Sequence, residues 1–92
     1  MTTITIQQDY IEVSGHSDYD ILGKDIVCSS ISTMIQFLIL INDLDYIEDN
    51  GYYKVDITKA TKHNIEAFTN LIKQLEKQYK DNVKVIERGN NE

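Results

Sequence analysis

The side chains with the most chemical potential lie close together in the chain: His16, Asp25, Cys28 and Ser32. At about 100° per residue on an α-helix, the last three fall within roughly 60° of one another. One face of a helix opening near Asp25 therefore presents a carboxylate, a thiol and a hydroxyl. At a helix N-terminus, unpaired N–H groups and the macrodipole favour negative charge. There a thiolate is more available as a nucleophile, and the same N–H groups can hold an oxyanion. His16 precedes Cys28 by twelve positions and ends a strand, so a ten-residue loop can fold back and bring its imidazole to the sulfur. That pairing is a Cys/His dyad, in which the imidazole activates the thiol.

Each of these residues also has a plainer use. A lone cysteine in a small domain is commonly a compact buried apolar side chain, and His16 can simply hydrogen-bond backbone. Asp25 can be the N-cap, accepting from the N–H of Val27 or Cys28, which would occupy a donor that the oxyanion needs. Its charge disfavours a neighbouring thiolate and favours a neighbouring imidazolium, so its effect depends on which it touches. Ser32 can bond back to the helix carbonyl one turn earlier. His63 is a second candidate base, but it stands at the polar start of another helix, where a solvated imidazole is expected. One cysteine and two distant histidines offer no zinc spacing, and no glycine-rich phosphate cradle is present. Neither a metal nor a cofactor is expected.

The surrounding elements must position these groups. Ile4 and Ile6, then Ile11 and Val13, alternate with polar residues, which predicts two strands turning at Gln7 to Asp9. Residues 15–24 are polar and contain Gly15 and Gly23, and are read as an exposed loop with hinges at both ends. From Asp25 to about Asn42, Val27, Ile31, Met34, Leu38 and Ile41 recur at helical spacing, and Ile35 and Ile39 extend the apolar surface round the helix. Such a helix is expected to be largely buried. Leu44 to Asp49 and Tyr52 to Ile57 flank Asn50-Gly51, a pair suited to a tight hairpin. A second helix runs from about Lys62 to Tyr79, capped by Thr61, with Ile65, Phe68, Leu71, Ile72 and Leu75 toward the core. Val83 to Glu87 closes the chain as a strand. The order β-β-α-β-β-α-β predicts an α+β domain with a mostly antiparallel sheet and two packed helices.

Composition sets the outer limits. Ninety-two residues without a linker or repeat suit one domain spanning 1–92. Fifteen acidic against nine basic side chains, a net charge of -6, leave no basic face for nucleic acid and favour basic partners. The longest apolar run, Phe37 to Ile41, is far too short to span a bilayer. One cysteine and no leader-like N-terminus point to a reducing cytoplasm.

Gly15-His16, followed by Gly23-Lys24-Asp25-Ile26-Val27-Cys28 and Ser32, resembles the signature of the ribosomal-processing cysteine protease (Prp) family. The His-to-Cys interval, chain length, small α+β architecture and late Asn-Gly hairpin also fit. The resemblance implies a cytoplasmic bacterial endopeptidase, typically a homodimer. It would remove an N-terminal extension from a large-subunit ribosomal protein, cutting near an aromatic pair. It implies His16 as general base, Cys28 as nucleophile, Asp25 and Ser32 as supporting polar residues, and the segment with Gly15, Ser17 and Gly23 as a cover over the peptide. The family usually has alanine after the histidine and small apolar residues after the cysteine, where this chain has Ser17, Ser29 and Ser30. Two other classes stay open on the residues alone: a peptide-binding module without turnover, and a redox-sensing thiol.

Overall fold

A computed structural model describes residues 1–15 and 22–88, with the backbone alone for 22–26. The order is β1 (Thr2–Ile6), β2 (Tyr10–Ser14), α1 (Leu22–Asn42), β3 (Tyr46–Asp49), β4 (Tyr52–Asp56), α2 (Lys62–Gln78) and β5 (Val83–Glu87). Five strands form one sheet in the order β3-β4-β2-β1-β5. All pairings are antiparallel except β1 with β5. The α+β class and the order of elements are those the residue patterns predict.

The two-residue period of β1 and β2 becomes one buried face. Thr2, Ile4 and Ile6 of β1 and Ile11 and Val13 of β2 are buried, as are Tyr53 and Val55 of β4. Against them pack Val27, Ile31, Ile35, Leu38 and Ile39 of α1 and Phe68 and Ile72 of α2. Each fully buried isoleucine or valine contributes about 1.5–3 kcal/mol through removal from water. Local chemistry ends the elements where the sequence suggests. Thr61 accepts from the N–H of Asn64 at 3.1 Å as the N-cap of α2. Asn50 and Gly51 turn the β3–β4 hairpin with φ of 50° and 85°. Helix α1 stops at Asp43, with φ 55°, and the N–H of Leu44 returns to the carbonyl of Ile39 at 3.0 Å, a Schellman closure.

Three expectations need correction. Helix α1 begins at Leu22, so Gly23 and Lys24 lie in its first turn and not in a loop. Apolar periodicity marks a helix by its repeating row, and Leu22 and Ile26 fall outside the row that Val27, Ile31 and Leu38 share in the sequence. Leu44 is buried but stands outside β3, which starts at Tyr46. Finally, α1 is not buried most of the way round. Phe37, Leu40 and Ile41 are 63%, 77% and 48% exposed, and Leu71 of α2 is 50% exposed. The helices form a single layer on one face of the sheet. Among the described residues, helix α1 therefore has one helical neighbour, too little to cover an apolar surface of that width.

Candidate active site

The topology gathers one end of the sheet. Strand β2 runs antiparallel to β1, so its last residues meet the start of β1, with Thr3 opposite Ser14. Gly15 follows directly and adopts a φ of 74°. Its backbone lies so close to the first residues that a Cβ would stand 2.5 Å from the Met1 carbonyl oxygen and 4.0 Å from the Thr2 Cα. Only glycine satisfies both the left-handed backbone and that approach. The glycine before His16 thus has a structural cause.

From the helix side, Cys28 reaches the same strand. Its Sγ lies 4.0 Å from Oγ1 of Thr2, and the thiol is half-buried. Thr2 is itself 5% exposed, on the helix-facing side of β1 in line with Ile4 and Ile6. Its N–H donates to the Asn82 carbonyl at 2.8 Å. One buried threonine therefore borders both Gly15 and Cys28. Sequence reading passed over Thr2, although a signal was there: by the two-residue period it is a hydroxyl in an apolar row.

Ser32 is half-buried one turn beyond Cys28 on the same line of the helix. One turn further on that line, Nε2 of Gln36 donates to the Tyr53 hydroxyl at 3.1 Å. The stripe Cys28, Ser32, Gln36 thus carries a thiol, a hydroxyl and an amide at four-residue steps. His16 and Ser17 lie outside the described residues, as does the side chain of Asp25. The backbone at Asp25 is within α1, so Asp25 is not the N-cap. Cys28 stands in the second turn, and the unpaired N–H groups belong to the turn before it. The end effect of the helix decays within that first turn, so it acts on Cys28 less than a start at Asp25 suggests.

His63 is set apart. It is exposed in the first turn of α2, beside Asn64, whose Nδ2 donates to Oδ1 of Asn42 at 3.1 Å. Asn42 ends α1 fourteen residues beyond Cys28, a rise of about 21 Å at 1.5 Å per residue. That distance removes His63 as a base for Cys28.

Away from the stripe, a trough runs between the helices. Ser29, Ser30 and Thr33 face Gln74 and Gln78 at one end. At the other end Phe37, Ile41, Ala67 and Leu71 form an apolar lining. On the opposite face of the sheet, Tyr52 donates to a Glu12 carboxylate oxygen, and that bond raises its phenol above the ordinary value, with burial and the Glu12 charge adding to it. No helix among the described residues is long and apolar enough to cross a membrane.

The family model described as cysteine protease Prp matches residues 1–84. The crystal structure of SMU.848 from Streptococcus mutans matches with a TM-score of 0.67 at 25% identity, over 95% of this chain and 93% of that one. The essential ribosomal processing protease Prp from S. aureus, solved with a substrate peptide, matches with a TM-score of 0.75 at 16% identity, over 95% and 97% of the two chains. The same protease with a covalently linked product peptide gives a TM-score of 0.74 at 16% identity, again over 95% and 97%. At that identity the likeness is one of fold. No curated protein matches this chain.

Proposed function

Because this chain belongs to the cysteine protease Prp family, we propose that it is a ribosomal-processing endopeptidase that uses Cys28 as nucleophile and His16 as general base. The substrate class is the N-terminal extension of a large-subunit ribosomal protein, cut near an aromatic pair. The observation that supports the reading is the meeting at Thr2: the residue before His16 approaches its backbone, and the sulfur of Cys28 meets its hydroxyl.

The chemistry follows in two steps. His16 takes the thiol proton, and the Cys28 sulfur attacks the scissile carbonyl carbon, forming a C–S bond. His16 then protonates the departing amine as the C–N bond breaks, leaving a thioester. Water, deprotonated by His16, attacks the thioester carbonyl; the C–S bond breaks, His16 returns its proton to the sulfur, and the new carboxylic acid leaves and loses its proton to solvent. Asp25 and Ser32 support the dyad as polar neighbours, and the segment that leaves Gly15 through Ser17 covers the peptide. No step calls for a cofactor or metal.

The protein works in the cytoplasm as a homodimer in this reading. Support for the dimer comes from α1, which has no charged side chain from Ile26 to Asn42 and exposes Phe37, Leu40 and Ile41. A second copy of a chain with net charge -6 meets no like charge there.

Incubation with a synthetic peptide spanning such an extension tests the assignment. Cys28→Ala and His16→Ala should each abolish cleavage, and full activity in either variant would sink the dyad. Binding without cleavage by the wild type would instead mark a peptide-binding module.

A further inference from the structure

Thr2 is a hydroxyl in an apolar place. It shares the buried row of β1 with Ile4 and Ile6, where valine has the same shape and a better strand preference. Burying a hydroxyl costs free energy unless it finds a partner. The partner here is the sulfur of Cys28, 4.0 Å from Oγ1.

We propose that Thr2 is a positioning residue for the nucleophile: its hydroxyl donates to the Cys28 sulfur and holds it toward the end of β2, where Gly15 leads into His16. The inference rests on Cys28 being the nucleophile of the preceding section. A thiol is a weak hydrogen-bond donor, whereas a charged sulfur accepts an O–H with the added strength of a charge-assisted bond. The contact is therefore strongest when the sulfur carries the charge that attacks. Thr2 can do this because its backbone is fixed on three sides. It pairs with Val83 in β5, its N–H is bonded to Asn82, and its Cα lies 4.0 Å from where a Cβ on Gly15 would stand. A donor mounted on a strand holds its target more tightly than one on a loop.

The test uses Thr2→Val, which keeps the shape, and Thr2→Ser, which keeps the hydroxyl. Two rates are read: kcat for peptide cleavage, and the second-order rate of alkylation by iodoacetamide at Cys28, the only cysteine in the chain. Thr2→Val should lower both by about tenfold, the loss expected for a hydrogen bond to a charged group, with KM unchanged. Thr2→Ser should restore both. Wild-type rates in Thr2→Val, or a Thr2→Ser as slow as Thr2→Val, would overturn the proposal, the latter because the methyl group alone would then matter. If circular dichroism finds Thr2→Val unfolded, Thr2→Ala takes its place against the same Thr2→Ser. Cleavage retained in Cys28→Ala would overturn the nucleophile and the positioning role together. An unchanged alkylation rate in Thr2→Val would overturn the positioning role alone.

Discussion

Helix α1 carries two stripes that face opposite ways. Cys28, Ser32 and Gln36 form one; Ser30, Met34, Phe37 and Ile41, which line the trough toward α2, form the other. At about 100° per residue their mean directions differ by roughly 170°. The first stripe is tied to the sheet, through Thr2 at one end and Tyr53 at the other. The second lines the trough toward α2 and ends in apolar side chains left in solvent. One helix thus separates groups suited to chemistry from a surface suited to association. The exposed phenylalanine and leucine are not failures of core packing, because the core is filled from a third direction by Val27, Ile31 and Ile35.

The strongest way to break this comparison is to remove one group from each stripe. Cys28→Ala should lower peptide cleavage by at least about a thousandfold, as loss of a nucleophile does elsewhere. Phe37→Ala, exposed on the other stripe, should leave cleavage of a short peptide within about twofold. Comparable losses in both would mean that the substrate crosses the trough. Next in size is Gly15→Ala, at the sheet end that Cys28 faces. The left-handed backbone and the Met1 carbonyl together should cost about 2–5 kcal/mol in stability. Gly51→Ala is the control, with a φ of 85° but nothing within 4 Å of a Cβ. It should cost only about 1–2 kcal/mol. Equal losses in denaturant titrations would show that the close approach at Gly15 has no weight. Third is Leu40→Glu, which sets a charge on the exposed end of α1. Sedimentation should show the proposed dimer weakened by about tenfold or more, the scale of a disrupted interface anchor, and a wild type that sediments as a monomer would remove the dimer from the reading. An unchanged association constant would move the interface elsewhere.

The sequence read differently at these two places for physical reasons. Period-two and helical patterns revealed the strands and helices because burial on one face is what creates such patterns, and Thr61 and Asn50-Gly51 marked ends by their own chemistry. The exposure of Phe37 and Leu40 left no such trace. An apolar helix reads the same whether it is covered by its own chain or by another, and only the count of neighbouring helices decides. For Thr2 the period shows only a hydroxyl in an apolar row; its contact with Cys28 joins residues 26 positions apart, which no local period can register. At the candidate site, the Gly15-His16 and Asp25 to Cys28 segments were legible as a motif. The start of α1 at Leu22 was not, since Leu22 lies outside the helical row that Val27, Ile31 and Leu38 mark in the sequence.

The finest distinction concerns how far the Cys28 stripe extends as a working surface. Gln36 is exposed, yet its amide donates to the hydroxyl of Tyr53, a residue only 6% exposed. Gln36→Ala should cost about 0.5–1.5 kcal/mol by removing that bond, and no more, because Gln36 buries little apolar surface. If a bound peptide runs from Cys28 past Ser32 to this pair, the same change should raise KM while leaving kcat and the alkylation rate of Cys28 alone. The lost amide would then be a uniform binding contact, acting equally on ground and transition states. If KM stays fixed while the thermal midpoint falls, the stripe's chemistry stops at Ser32, and Gln36 serves only to moor α1 against β4.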